Sequence, residues 1–238
     1  MMSRLFPACV LVLVQAAAVS VPAVNADGLT RAFGFYRGKS VEILMSGSQR
    51  TGREESTIRT NLYFNPAEGR SKPKLEFTDY HLDRLRIRIV ADGTNLWFYD
   101  RDRNEYAMTE YKDEKELSVL ARSLTSGQSL YAIRTLSEIS SGSPFKSWLP
   151  LSQITTSRDN ANAAIMRSTT SWLSVECGYT ENDEIYASQI DFEEREGNYF
   201  SQWRIRVNLF SPTTEMYKFT IPRGARPVSF PVSKRTGS

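Results

Sequence analysis

The clearest indication of the fold comes from LRIRIVADGTNLWFYDRDRNEYAMTEY, the segment from Leu85 to Tyr111. Apolar residues at positions 85, 87 and 89 alternate with arginines at 86 and 88, a pattern typical of a strand with one apolar and one polar face. The Asp-Gly pair at 92–93 is a strong hairpin signal, because a tight turn needs positive φ at its central positions. A second apolar run follows. The stretch therefore predicts a two-stranded antiparallel ribbon.

The register of this ribbon depends on the length of its turn. If the Asp-Gly pair forms the whole loop, Ile89 lies opposite Leu96. Trp97 then lies opposite Arg88 on the outer face, close enough for a cation–π contact. A loop one residue longer would turn Trp97 inward. The residues predicted to share the apolar face are Leu85, Ile87, Ile89, Leu96 and Phe98.

The same alternation recurs along most of the chain. SVEILMSGSQRTGREESTIRTNLYFNP predicts two strands joined at Thr51-Gly52, and KPKLEFTDYHLDRLRIRIVADG predicts more strand with a break near His81. Strands resume in SWLSVECGY, EIYASQIDFEER, YFSQWRIRVNLF and EMYKFTIP. FKSWLPLSQITTSRDNANAAIMRS predicts loop with a short strand. Many sequential strands of this kind predict a mainly β fold: a strongly curved antiparallel sheet, or unclosed β-barrel.

One passage has helical rather than strand periodicity. Asp113 and Glu116 have the spacing of a capping box, and apolar residues follow at helical intervals from Leu117 to Leu124. SLYAIRTLSEISSG resumes the helical period and ends at Gly142 and Pro144. We therefore expect a pair of short amphipathic helices, inserted between blocks of strands, that plugs or lids the open side of the sheet.

The ends of the chain predict export. Residues 1–26 combine a short basic start, an apolar run and small residues at Val24 and Ala26, as in a cleaved signal peptide. We expect a periplasmic protein with one domain over residues 27–232 and a disordered tail over 233–238. Cys177 is then the one cysteine of the mature chain, either buried as a small hydrophobe or paired between chains. The apolar residues around it favour burial.

Catalytic and metal-binding residues are scarce. His81 is the one histidine, and a single cysteine and histidine cannot make a zinc site. Carboxylate-rich segments such as DFEEREGN lack the spacing of a calcium loop. The formal net charge of +3 does not favour nucleic-acid binding. We expect no enzymatic activity, no cofactor and no nucleic-acid partner.

The apolar strand faces could form either a closed core or the lining of a ligand cavity, because both have the same period of two. The helix pair is too short to cover a sheet of this size, which favours a hollow that binds apolar ligands. The predicted lining from the sheet is Ile58, Leu62, Phe64, Leu75, Phe77, Leu85, Ile87, Ile89, Leu96 and Phe98. The predicted lid residues are Leu117, Leu120, Leu124, Ile133 and Leu136.

Three segments resemble a known family. VADGTNLWFYDRDRNEY is similar to the hallmark segment of the LolA/LolB lipoprotein-carrier superfamily and its secreted relatives. KFTIPRGARPV resembles the closing strand of that family, and NPAEGRSKPKLEF resembles its strand introduced by a basic residue and a proline. The resemblance implies an unclosed barrel whose hydrophobic hollow holds acyl chains beneath helices. It also implies a lid or head-group contact at Lys72, where the carrier has an arginine with a planar, two-pronged donor.

The resulting hypothesis is a monomeric periplasmic carrier that binds an acyl chain, lipid or lipoprotein without covalent chemistry and exchanges it with a membrane-bound donor or acceptor protein. The alternative is an envelope sensor or assembly module on the same scaffold. In that alternative the outer basic face contacts a protein or an anionic head group. The residues of that face are Arg84, Arg86, Arg88, Arg204 and Arg206.

Overall fold

The computed structural model describes residues 26–125, 127–141, 154–156, 163–167 and 171–230. The helices are α1 (Ala26–Gly34), α2 (Glu114–Leu124) and α3 (Leu130–Ser141). The strands are β1 (Val41–Thr51), β2 (Glu54–Asn65), β3 (Lys74–His81), β4 (Arg84–Ala91), β5 (Asn95–Asp100), β6 (Glu105–Glu110), β7 (Ile154–Thr156), β8 (Ala163–Arg167), β9 (Ser171–Tyr179), β10 (Ile185–Glu196), β11 (Tyr199–Leu209) and β12 (Arg226–Pro227).

The twelve described strands form one sheet in the order β12-β6-β5-β4-β3-β2-β1-β11-β10-β9-β8-β7. Every neighbouring pair is antiparallel except β12 with β6. Because β7 and β12 lie at opposite edges, the sheet does not close on itself. The predicted fold class, a curved and unclosed antiparallel sheet with few helices, is confirmed. No described helix is long and apolar enough to cross a membrane.

The Asp-Gly hairpin forms, but with a different register from the predicted one. Ala91 pairs with Leu96, so the loop between the paired residues has four members rather than two. The Asp92 carboxylate causes this, since its Oδ1 accepts hydrogen bonds of 2.8 Å from the backbone N–H groups of Thr94 and Asn95. The shift is by two residues, so Leu96 and Phe98 keep their predicted face.

The predicted contact between Trp97 and Arg88 is wrong for the same reason. Trp97 lies opposite Val90, and its indole N–H donates to Asp92 Oδ2 at 3.0 Å. Its ring stacks on that of Phe219, with centroids 5.1 Å apart. Trp97 thus lies on the outer face as predicted, but contacts an aromatic ring rather than a cation.

The structure of residues 210–225, here called the C-terminal crossing segment, differs from the predicted one. EMYKFTIP does not form a strand: a 3-10 turn spans Thr214–Tyr217, and β12 begins only at Arg226. The segment instead runs across the outer face of the sheet. Phe210 contacts Tyr63 of β2, and Phe219 lies further along on β5. Side chains at 217 and 219 both face the sheet, which explains why the sequence has a strand-like period of two.

The predicted helix pair is confirmed. Asp113 caps α2 by accepting a 2.8 Å hydrogen bond from the Glu116 backbone N–H, and the Glu116 carboxylate accepts one from the N–H of Lys112. The first helix, α1, was not predicted. The buried side chains at positions 29, 32, 33 and 36 have helical spacing. The segment is too short for this period to be recognised from the sequence.

The hydrophobic core lies between the inner face of the sheet and all three helices. Cys177 belongs to it and is a free, buried thiol, as the surrounding sequence predicts. The proposed signal peptide, apart from Ala26, and the proposed tail lie outside the described residues, as does most of the segment between α3 and β9.

Candidate functional site

The predicted cavity lining is divided between a filled core and an open cleft. Seven of the ten predicted sheet residues are buried in the core cluster, whereas Ile58 and Phe98 are half-buried and pack against it. Of the ten, Phe64 and Leu75 also line a cleft of about 640 Å³. Among the predicted lid residues, Leu117, Ile133 and Leu136 line the same cleft, while Leu124 lies in the core and Leu120 packs against it.

Leu85 is the exception among the ten. It is half-buried and stands apart from the core cluster, in a depression that it shares with His81, Arg84 and Asp102. A β-bulge at Leu85 and Arg86 causes this displacement, as the pairing of β3 with β4 jumps from Asp79–Ile87 to Tyr80–Leu85. His81, the single histidine, is exposed at the end of β3, where it pairs with Arg84 and does not line the cleft.

The cleft lies between α2, α3, the loop that follows α1 and the loop that follows β2. Its walls are apolar, and its rim carries hydroxyl and charged groups. The apolar residues that line it are Tyr36, Phe64, Pro66, Ala67, Leu75, Leu117, Val119, Ala121, Ile133, Leu136 and Ile139. The polar and charged residues are Arg37, Lys39, Glu114, Lys115, Ser118, Arg122, Ser137, Ser140 and Ser141.

Tyr36 fixes one wall of the cleft. Its hydroxyl lies 2.7 Å from the carbonyl oxygen of Ala187 and 3.0 Å from that of Val207, and donates its proton between them. Burial raises the pKa of this phenol, so the group stays neutral and keeps donating. Tyr36 anchors the end of α1 and, with it, the loop that carries Arg37 and Lys39. Sequence patterning missed all three residues because it missed α1.

Lys72 contacts the start of the lid, at the position that the family resemblance indicates. Its Nζ donates a 2.6 Å hydrogen bond to the carbonyl oxygen of Tyr111, two residues before the Asp113 cap of α2. The Tyr111 hydroxyl donates to the Pro73 carbonyl and accepts from the Gly93 N–H at 2.9 Å. Burial raises the pKa of Tyr111 to about 12. This hydrogen-bond network joins the entry of α2 to two loops of the sheet.

A second anchor holds the turn between α2 and α3. The buried Asp79 carboxylate accepts hydrogen bonds from the hydroxyls of Ser129 at 2.7 Å and Thr60 at 3.2 Å, and forms an ion pair with Arg86. Ser129 belongs to the 3-10 turn Gly127–Ser129, directly before α3. The helix pair is therefore fastened to the sheet at both ends of α2.

The arginines that the alternative hypothesis uses do not form one free basic face. Arg86 turns to Asp79, Arg88 pairs with Glu76 at 2.9 Å, and Arg204 pairs with Asp191 at 2.8 Å. Arg84 and Arg206 are exposed, on strands separated by β3, β2 and β1. Pairing with neighbouring carboxylates removes most of the field that a protein or membrane partner would meet.

No protein-family model and no curated protein sequence matches the chain. Among solved structures, it is similar to an uncharacterized conserved protein from Thermus thermophilus, at 11% identity and a TM-score of 0.39, covering 86% of this chain and 98% of that chain. It is also similar to a LolA superfamily protein from Nitrosomonas europaea, at 12% identity and a TM-score of 0.39, covering 83% of this chain and 99% of that chain.

A third similarity, to MucB in complex with MucA(peri), has 10% identity and a TM-score of 0.15, covering 77% of this chain and 93% of that chain. Identities and scores this low carry no conclusion about ligand, partner or activity. The solved structures that are similar to this chain thus include a LolA superfamily protein, from the family that its sequence segments resemble.

Proposed function

We propose that the protein is a non-enzymatic carrier that binds the acyl chain of a lipid or lipoprotein in the cleft between the helix pair and the open end of the sheet. The observation that carries this proposal is the lining of the cleft: apolar side chains from α2, α3, β2 and β3 converge on one space of about 640 Å³. That volume falls within the range of small-molecule sites, roughly 300–1,000 Å³.

Binding would be driven by desolvation of the chain. Each methylene group that moves from water into an apolar site contributes about 0.8 kcal/mol to the binding free energy. Burial of a chain of moderate length is therefore sufficient to drive binding. The inner face of the sheet is already filled by the helices, so we place the guest at the rim of the core rather than at its centre. Longer guests would require α2 and α3 to separate from the sheet.

The segment before α1 supports the proposed location. Residues 1–26 have the pattern of an export signal, and α1 begins at Ala26, where we expect cleavage. We therefore propose that the mature protein acts in the periplasm, taking its cargo from one membrane-bound partner and passing it to another.

The test is uptake of a fluorescent fatty acid by protein purified without detergent, together with native mass spectrometry for co-purified lipid. Ala67→Trp should block the cleft and weaken uptake at least tenfold, since Ala67 is an exposed loop residue that lines it. Glu68→Trp is the matched control, because this exposed neighbour does not line the cleft. Absence of both uptake and co-purified lipid, or equal effects of the two variants, would contradict the proposal.

A further inference from the structure

The rim of the cleft is strongly basic. Arg37 and Lys39 lie on the loop between α1 and β1, and Lys115 and Arg122 lie seven residues apart on α2, which places them on one face of that helix. Among the described residues of the lining, Glu114 is the single carboxylate, and its Oε1 accepts a hydrogen bond from the Ser140 hydroxyl. Two elements on different sides of the cleft therefore contribute four cations against one anion.

Two of these four cations, Lys39 and Arg122, have neutral contacts within the described part of the chain. Lys39 Nζ lies 3.6 Å from the centroid of the Phe35 ring, and Arg122 lies 3.4 Å from the Ser137 hydroxyl. None of the four takes part in the ion pairs of up to 4.0 Å that join other arginines and lysines to carboxylates in the described ranges. Their charge is therefore available to a ligand.

The apolar wall lies directly beside this charge. Val119 is exposed and lies on α2 between Lys115 and Arg122, and Leu117 and Ala121 on the same helix face the interior. A low-dielectric wall strengthens the interaction between a cation and an anion held against it. A ligand with an apolar chain and an anionic head would thus match both parts of the cleft, whereas an uncharged head would gain nothing from the rim.

We propose that the cleft selects amphiphiles with an anionic head group, a carboxylate or a phosphate, over uncharged amphiphiles with the same chain. This inference rests on the proposed function and specifies its ligand class. The chain would lie against Phe64, Leu75 and Leu136, and the head would lie among the rim cations. The two sources of such a head are a free fatty acid and a lysophospholipid.

The experiment compares ligands that share a fourteen-carbon chain and differ in the head: myristate, myristoyl lysophosphatidate and the uncharged monomyristin. The assay measures how well each ligand displaces a bound fluorescent fatty acid, at low and at high salt. Every ligand is kept below its own critical micelle concentration. We expect both anions to bind at least tenfold more tightly than monomyristin, with a preference that shrinks as salt rises. Binding of only one of the anions supports the proposal and identifies the head.

Two double variants test the rim: Arg37→Gln with Lys39→Gln, and Lys115→Gln with Arg122→Gln. Each should weaken binding of the anions at least fivefold more than it weakens binding of monomyristin. The control, Arg53→Gln with Arg223→Gln, removes two exposed charges that lie away from the cleft and should change neither. Circular dichroism verifies the fold of each variant.

Equal binding of charged and uncharged chains to the wild-type protein would overturn the ligand preference while leaving the carrier function intact. Rim variants that weaken monomyristin as much as myristate would also overturn it, since they would be acting on the structure of the cleft. If no ligand displaces the probe and the probe itself does not bind, the proposed function fails instead.

Discussion

Arg86 reaches the buried carboxylate of Asp79 from the neighbouring strand, and its Nε donates to Asp79 Oδ2 at 2.9 Å. The contact depends on the β-bulge, in which Arg86 is the extra residue between the pairs Asp79–Ile87 and Tyr80–Leu85. Regular alternation would have placed Arg86 on the outer face, away from Asp79. The same carboxylate accepts from Ser129, so the bulge is part of what holds the helix pair on the sheet.

Removal of this carboxylate should be costly. Asp79→Asn leaves Arg86 without its counter-charge in a partly desolvated position, and we expect the free energy of unfolding to fall by about 3–5 kcal/mol. Urea denaturation followed by tryptophan fluorescence measures the change. The double variant Asp79→Leu with Arg86→Leu should recover part of the loss, because it leaves no unpaired charge but takes the acceptor from the Ser129 and Thr60 hydroxyls.

Arg204→Gln provides the comparison for that result. It breaks the pair with Asp191, but the Arg204 side chain is 52% exposed, so the expected change is at most about 1 kcal/mol. A similar small change for Asp79→Asn would show that the buried pair does not stabilise the fold.

The turn between β3 and β4 is strained at Leu82. Leu82 and Asp83 have φ values of 48° and 60°, the left-handed region that disfavours residues with a Cβ. Leu82 is 60% exposed, so its side chain contributes little burial. Leu82→Asn should therefore raise the free energy of unfolding by about 1 kcal/mol, since asparagine tolerates this conformation.

Met108→Asn tests whether polarity alone explains such a gain. Met108 is a comparably exposed apolar residue, but it lies within β6 and has no positive φ. It should give no increase in the urea midpoint. Stabilisation by both variants, or by neither, would contradict the assignment of strain to Leu82.

Sequence alternation predicted the sheet well because long strands such as β1, β2 and β11 bury one face, and that face fixes which residues point inward. It did not predict local departures from the alternation. The four-residue loop is held by hydrogen bonds of the Asp92 side chain, and the bulge brings Arg86 to the Asp79 carboxylate of the neighbouring strand. Both features involve side-chain hydrogen bonds, which the alternation of apolar and polar residues does not reveal.

The site was harder to predict than the fold. Leu62, Phe77 and Ile89 have the pattern expected of a cavity lining, but they are buried in the core, because core and cavity share one sequence code. The rim cations Arg37 and Lys39 follow a helix that was missed, and their role depends on the distant helix α2. Composition showed only a small net positive charge, which does not reveal where four cations gather.

Gly47 of β1 is required by a close approach between strands. A Cβ at this position would lie 2.2 Å from the Gln202 carbonyl oxygen and 2.4 Å from the Trp203 ring. Gly47→Ala must therefore displace a buried indole, and we expect a loss of roughly 1–3 kcal/mol in thermal or urea unfolding. Gly34→Ala, where an added Cβ would meet no atom within 4 Å beyond the local backbone, should change stability by less than about 1 kcal/mol. Equal effects would exclude the steric explanation.

The buried thiol gives a pH dependence at alkaline pH. Burial raises the pKa of Cys177 from 9.0 to about 12. The folded state therefore holds the thiol proton more strongly than the unfolded state does. The contribution of the neutral thiol to the free energy of unfolding is fully present below pH 9 and is lost as the pH rises toward 12. In the mature chain, where Cys177 is the one cysteine, the free energy of unfolding should fall by about 1.4 kcal/mol between pH 8 and pH 10 relative to that of the Cys177→Ala variant. Parallel pH profiles in urea denaturation would contradict the expected shift.

Lys72 should control the order of the first turn of α2. Lys72→Met removes the ammonium that donates to the Tyr111 carbonyl at 2.6 Å, and we expect faster amide exchange in residues 112–117 with a loss of about 1–2 kcal/mol in stability. Lys112→Met is the matched control, because Lys112 is exposed and adjacent to the same turn. Hydrogen–deuterium exchange followed by mass spectrometry resolves the segment. If Lys72→Met leaves exchange in α2 as slow as Lys112→Met does, the entry of the lid is held by Tyr111 and the Asp113 cap alone.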